Sequence, residues 1–335
     1  MKDTAVTGLE LRIAKGNVFV NLDVVVPTYN RSQLLQRALS SLLTAPIPDG
    51  LSVTILVVDN NSSDNTEQVV NEFSCPSDRF LIYIRETKQG LSRARNAGIS
   101  AGSGDLIGFI DDDEEIDPAW YGVVAREFAN QSVDFIGGPY LGNWAAPPPA
   151  WLPPGYHAAI GVVPPKPRAP FDAKFSGNLM GGNAVIRRSV FDRIGTYSPL
   201  LGRSGKGLLS EEDAEFYRRL KAASIHGIYV PDLVIHHYIP TERLTRKYHR
   251  RWSFWRAVSQ GVIDRDIKEP SVYTFGIPRY KIGRALRGIV AYPSHRLSRG
   301  TQGHAFADEL AIWDLLGFIY GKHFIRIEHL YADQK

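Results

Sequence analysis

Cysteine is nearly missing from this chain. Cys75 is the one thiol in 335 residues, which excludes an intrachain disulfide framework and suits a reducing compartment such as the cytoplasm. Long apolar runs are missing too. Nowhere do 18 uninterrupted apolar residues occur, so no membrane-spanning helix is expected. The mixed, charged residues 1–16 do not read as a signal peptide. Phosphate-loop signatures are incomplete. Gly102-Ser103-Gly104 precedes a strand instead of following one, and Gly205-Lys206-Gly207 lacks the Ser/Thr and the spacing of a P-loop. There is no internal repeat. Charge is unevenly spread along the chain. Between 241 and 300 stand 14 Lys and Arg against 4 Asp and Glu, a local balance of +10 that leaves −6 for the rest of the +4 chain. Such a segment suggests an anionic surface or partner.

What is present supports a packed core. Hydrophobic residues make up 44% and charged residues 22%, enough for one large domain or a domain with an appended subdomain. The first half alternates short β-branched runs with helical periodicity. Strands are predicted at 23–26, 53–58, 80–84 and 106–110. Helices are predicted with Leu34, Leu35, Ala38, Leu39, Leu42 and Leu43 on one face, from Asp64 with Glu67 as its capping-box partner, over 91–101, and from Asp117 with Pro118 in the first turn. This alternation implies an α/β fold with a doubly wound, mostly parallel sheet. Ten of the 21 prolines then fall between 139 and 170, which argues for an irregular active-site loop or connector. Further on, the pattern predicts a strand at 184–187, helices from about Ser189 and Glu211, strands at 228–230 and 233–235, and a basic, aromatic helical region from Leu244.

Ligands of an open parallel sheet bind beyond the carboxyl ends of its strands. Those ends carry Pro27-Thr28-Tyr29-Asn30-Arg31, Asp59-Asn60-Asn61 and Asp111-Asp112-Asp113. A carboxylate run at a strand end suits a hard divalent cation that keeps positions open for a diphosphate. It also suits an acidic helix start with no ligand, and the residues alone leave both open.

The order of four segments is more specific than any one of them. Val25 to Arg31 (VVPTYNR), Val57 to Thr66 (VVDNNSSDNT), Gly90 to Ile99 (GLSRARNAGI) and Gly104 to Asp113 (GDLIGFIDDD) together resemble glycosyltransferase family 2, with its GT-A fold, over roughly 23–238. The resemblance implies an inverting transferase that uses a nucleotide-diphosphate sugar, a UDP-sugar being expected, with Mn²⁺ or Mg²⁺. It places Pro27, Thr28, Tyr29 and Arg31 at the nucleotide, Asp59 on the base, and Arg95 near the base or diphosphate. It assigns Asp112 to the ribose, with Asp111 in support, and Asp113 to the metal. Ser210-Glu211-Glu212-Asp213 resembles the family's Glu-Asp motif. There Asp213 would be the general base on the acceptor hydroxyl, with Glu212 beside it and as the alternative register. Gly181, Gly182 and Asn183 match a segment lining the sugar and acceptor site. His237 lies where relatives carry a histidine near the metal, and His236 competes for that role.

The resemblance divides the chain into a transferase domain over 20–240 and a helical basic region over 241–335. The domain comprises a donor half (20–138), the proline-rich loop (139–170) and an acceptor half (171–240). A glycan or lipid-linked acceptor is expected, as in cell-surface polysaccharide or glycolipid synthesis, in the cytoplasm or on the inner face of the cell membrane. In the basic region Arg246 to Arg256 interleaves cations with aromatics. It reads as a helix on an anionic membrane, as a nucleic-acid site, or as a helix packed on its own domain; nucleic acid is the reading not expected. The apolar stretch 310–320 is too short to span a bilayer and reads as an interfacial helix or a homodimer contact. Two rivals remain. A nucleotidyltransferase would carry a glycine-rich basic loop where Pro27 to Arg31 stand. A non-catalytic sugar- or lipid-binding module would not need the carboxylates at both motifs.

Overall fold

The computed structural model of the chain describes residues 20–152, 159–199, 201–203, 210–265, 268, 271–298 and 302–325. The Gly205-Lys206-Gly207 stretch, Leu209 and the terminal segments 1–19 and 326–335 lie outside the described residues.

The strands β1 (Val20–Thr28), β2 (Leu51–Asp59), β3 (Arg79–Arg85) and β4 (Leu106–Phe109) form the parallel part of an eight-stranded sheet, in the order β3-β2-β1-β4. Both faces of β1 are covered, which is why it reads as an unbroken apolar run. Leu22, Val24 and Val26 face one core with helix α1 (Ser32–Thr44), while Val25 faces the other with α3 (Leu91–Ala101). A glycine is required where α3 crosses β1, because a Cβ at Gly98 would collide with the Val25 side chain. Helices α2 (Thr66–Glu72) and α4 (Trp120–Phe128) start two and three residues later than predicted. The Asp64 and Asp117 carboxylates do accept backbone N–H bonds at those starts, from Thr66 (3.2 Å) and Ala119 (2.9 Å). The Glu67 capping box does not form: Asn65 is the cap and makes no side-chain bond.

Beyond β4 the sheet ceases to be parallel. The strand β9 (Ala184–Arg187) runs antiparallel between β4 and β6 (Phe135–Gly137), followed by β10 (Gly227–Tyr229) and β8 (Ala169–Pro170). A second sheet has the order β5 (Glu114–Ile116), β11 (Ile235–Ile239), β7 (Tyr140–Trp144). So the proline-rich segment is not wholly irregular. Tyr140–Trp144, which contain no proline, pair with β11, and β8 closes the segment. The strand expected at 233–235 instead begins at Ile235 and carries both histidines.

Helices α5 (Arg188–Ile194) and α6 (Glu212–Ala222) lead to a C-terminal bundle of α7 (Arg246–Ile263), α8 (Arg279–Leu297) and α9 (Gln302–His323). Glycines let α7 and α9 touch backbone to backbone. A Cβ on Gly261, Gly317 or Gly321 would overlap the Phe318, Phe254 or Val258 carbonyl. The basic, aromatic helix therefore packs within its own chain: Phe254 lies against Trp313 and Tyr320, and Arg250 pairs with Glu309. One face of 310–320 is likewise turned inward on α9, with Leu310, Ala311, Asp314, Gly317 and Phe318 buried, while Trp313, Leu316 and Tyr320 are exposed. Among the described residues no helix is long and apolar enough to cross a membrane.

Candidate active site

The carboxyl ends of β1, β2 and β4 sit side by side, Thr28 in register with Asp59 and Val25 with Phe109. The loops after β1 and β2 are laced together. Asn30 N–H donates to Ser62 Oγ (2.9 Å), Ser63 N–H to Asn30 Oδ1 (2.7 Å), and Ser32 N–H to Asp64 (3.1 Å). Asn30 and Asn61 adopt positive φ (51° and 66°), a conformation that asparagine tolerates better than most residues. Buried Asp59 accepts from Ser62 N–H and from the Tyr83 hydroxyl, both at 2.7 Å. Pro27 and Thr28 are buried and Tyr29 is half-buried at the same edge.

The acidic turn beyond β4 divides its three aspartates among different partners. Asp112 accepts from Thr28 Oγ1 (2.9 Å) and Arg31 (3.0 Å), and burial pushes its carboxyl up to about 6 against the pull of Arg31. Asp113 is bonded by Arg243 (2.8 Å) and Arg31 (3.2 Å), with His237 Nε2 at 3.5 Å. Burial opposes its charge, yet the Arg243 and Arg31 guanidiniums hold it well below the usual carboxylate range. Asp111 belongs to Arg95 (3.1 Å).

His237 reaches the turn because β11 pairs antiparallel with β5, placing His237 opposite Glu114, and Tyr238 N–H bonds the Asp113 carbonyl (2.8 Å). Strand alternation buries His237 and leaves His236 half-exposed. Arg243 Nη1 stands 2.9 Å from His237 Nε2. A guanidinium can only donate, so Nε2 accepts and the proton sits on Nδ1, which is buried without a partner. The ring is seated against Gly161, whose positive φ (76°) and lack of Cβ leave it room.

Arg95 joins the acidic turn to the second acidic motif. Its side chain is 1% exposed, and its guanidinium bridges Asp111 and Asp213 (2.8 Å). Burial works against that charge, but the two carboxylates keep it firmly protonated. Gly181 N–H donates to the other oxygen of Asp213 (2.9 Å). A Cβ on Gly181 would overlap Asp213 and the Arg95 guanidinium, and one on Gly182 would overlap the Glu114 carboxylate. Close approach at these glycines therefore serves the fold's own carboxylates. Asn183 lies beside these glycines. Its amide is buried and engaged with the Trp120 indole (3.0 Å) and the Pro139 and Leu233 carbonyls (3.2 and 2.7 Å), so it ties elements together beneath the site. Glu212 is buried next to Asp213 with Oε2 unpartnered. Burial first, then Asp213, lift its carboxyl to about 7.

Two residues of this centre lay outside the expectations. Glu114, the fourth acid of the run, has a carboxyl that burial and the neighbouring Asp111 and Asp113 drive well above its ordinary value. Its signal was in plain sight, directly after three aspartates. Arg243 comes from a 3-10 turn (Thr241–Leu244) that precedes α7, and nothing in its local sequence marks it. Each of Asp111, Asp113 and Glu114 offers a carboxylate oxygen, all within 4.8 Å of one another. Three neighbouring carboxyl groups, two of them buried, form an oxygen set of the kind a hard divalent cation takes. His237 adjoins this set, but its Nε2 is engaged by Arg243.

Comparison with known proteins agrees with this geometry. Glycosyltransferase AglE of Haloferax volcanii is 32% identical over 117 residues, a match covering 35% of this chain but only 38% of that protein. The glucosyl-dolichyl phosphate glucuronosyltransferase of the same organism is 25% identical over 256 residues, 73% of this chain and 78% of its own. Among solved structures, the mannosyltransferase PcManGT from Pyrobaculum calidifontis, in complex with GDP-Man and Mn²⁺, superposes with a TM-score of 0.59 at 18% identity. It covers 91% of this chain and 88% of that one, and so shows a shared GT-A fold. The sequence profile described as Glycosyl transferase family 2 matches residues 23–195, just over half of the chain, and the chain belongs to that family.

Proposed function

We propose that this chain is a metal-dependent inverting glycosyltransferase that moves a sugar from a nucleotide diphosphate to a hydroxyl of a glycan or lipid-linked acceptor. The observation that carries the reading is the Arg95 bridge. It sets the carboxylate proposed as base within one guanidinium of the acidic turn proposed for the donor diphosphate. Asp213 is fixed on both oxygens, by Arg95 and by Gly181 N–H, and is still 23% exposed, so its carboxylate remains accessible from solvent. In the reaction the acceptor oxygen attacks the anomeric carbon as Asp213 takes its proton. The anomeric carbon's bond to the diphosphate breaks on the opposite side, which inverts the centre.

Asp111, Asp113 and Glu114 would hold Mn²⁺ or Mg²⁺, which supplies charge neutralisation to the departing diphosphate. Asp112, supported by Thr28, is placed for the ribose. Arg31, whose side chain is 40% exposed, is the cation facing the opening. Pro27, Tyr29 and Asp59 would frame the base, with Tyr83 and Ser62 orienting the Asp59 carboxylate. The dolichyl-phosphate relative supports the lipid-linked acceptor class.

The test is to change Asp113 and Asp213 separately to Asn and assay a panel of nucleotide sugars with and without EDTA. The expected result is metal-dependent turnover of one nucleotide class, lost in both variants while each still unfolds in a single cooperative transition. Full activity in both variants would overturn the assignment.

A further inference from the structure

The basic balance of 241–300 points to an anionic surface, and Arg246 to Arg256 is one candidate for it, but in the fold that helix packs against α9. Within 241–300 a longer apolar stripe lies uncovered on α8. Its inner side is anchored: Lys281 forms a buried ion pair with Asp314 (2.8 Å), His295 bonds Asp308 (2.7 Å), and Gly288 sits so close to the Asp308 carbonyl that a Cβ would fall 2.7 Å from it. On the outer side Leu286, Ile289, Val290 and Leu297 are 57%, 54%, 81% and 86% exposed. With exposed Pro293 they follow the spacing i, i+3, i+4, i+7, i+11, which is one stripe of a helix. No acidic residue occurs from Arg279 to Leu297, while Arg279, Arg284, Arg287 and Arg296 are all exposed.

We propose that the outer face of α8 seats the protein on an anionic lipid bilayer. The stripe enters the acyl boundary and the arginines meet the headgroup phosphates. This deepens the lipid-linked acceptor reading by naming the surface that brings the site to such a substrate. Charge decides between a bilayer and a second copy of the chain. A two-fold contact sets the same face against itself. That would bring the arginines of both copies together with no carboxylate on either helix, an arrangement that like-charge repulsion opposes. An anionic bilayer has the opposite sign and accepts the apolar stripe.

The experiment is co-sedimentation of the full chain, without donor or acceptor, on phosphatidylcholine vesicles with and without roughly 30% phosphatidylglycerol. Sedimentation on the anionic vesicles that weakens with salt is expected. Leu286→Glu with Val290→Glu, and separately Arg287→Glu with Arg296→Glu, should each lower the partition coefficient about tenfold or more. These side chains point outward, so thermal unfolding and transfer to a water-soluble acceptor should stay at the wild-type level. Equal sedimentation of wild type and both variants, or none by wild type, overturns the proposal. So does a wild-type dimer in light scattering that the Leu286/Val290 variant turns into a monomer, because a second copy then covers the face. Vesicle binding without any sugar transfer leaves this surface standing and refutes the proposed function alone.

Discussion

Replacing Arg95 with Met tests the centre most directly. Methionine keeps much of the unbranched stem and its volume between Phe109 and Tyr197, whose rings lie 6.0 and 5.4 Å from the guanidinium. What disappears is the charge and two bonds, at 2.8 Å to Asp213 and 3.1 Å to Asp111. A hydrogen bond to a charged group contributes about 1.5–3 kcal/mol, and removing one partner of a buried ion pair costs about 3–5 kcal/mol. Both carboxylates keep some solvent, with side chains 30% and 23% exposed, which screens part of that cost. The expected loss is therefore about 3 kcal/mol, read as a lower urea midpoint at unchanged slope. Transfer should fall further than stability, because freeing Asp213 by an ångström or so costs about a hundredfold in kcat. Arg95 is also one of the groups restraining Glu212, so in the variant that carboxyl moves further above about 7. Arg95→Lys should recover little, since an ammonium is a point charge and cannot span two carboxylates as the planar fork does. A stability loss below about 0.5 kcal/mol with unchanged kcat would refute the reasoning, since that is the scale of an ordinary surface change.

Gly181→Ala forces a Cβ onto the Asp213 carboxylate and should reduce kcat more than KM, with a melting temperature within a few degrees of wild type on the order of a 1 kcal/mol change. Glu212, raised from 4.5 to about 7, binds its proton more tightly folded than unfolded. Its contribution is thus full below pH 4.5 and lost as pH rises through 7. Glu212→Gln should remove that decline, and melting curves between pH 5 and 8 would show whether it does. His249 is the opposite case. It is fully buried against Trp151 and Phe306, both ring nitrogens lack partners, and burial pushes it down from 6.5 to about 4. Its contribution is present above pH 6.5 and lost as pH falls toward 4, so His249→Phe should flatten the acid limb of stability by roughly 3 kcal/mol. An acid limb as steep as wild type would sink that account.

The sequence by itself determined the elements and their chemistry. The apolar runs in 23–26 and 53–58 declare buried strands because a sheet covered on both faces favours near-continuous apolar residues, and α1 declares its face through a 3.6-residue period. The carboxylates at 111–113 and 212–213 were legible for a similar reason: strand ends and helix starts are local events that a short motif can mark. Tertiary structure alone decided what depends on distant pairing. Strand β9 runs backwards because it fills a slot between β4 and β6, and no local signal encodes that neighbour. Arg95 reaches Asp213 across 118 residues and Arg243 reaches Asp113 across 130, since long flexible cations go where buried carboxylates leave charge uncompensated. The same holds for the basic helices. The basic balance of 241–300 reads as surface-seeking throughout, and only the packing of α9 covered one face of α7 and left the outer face of α8 in the open.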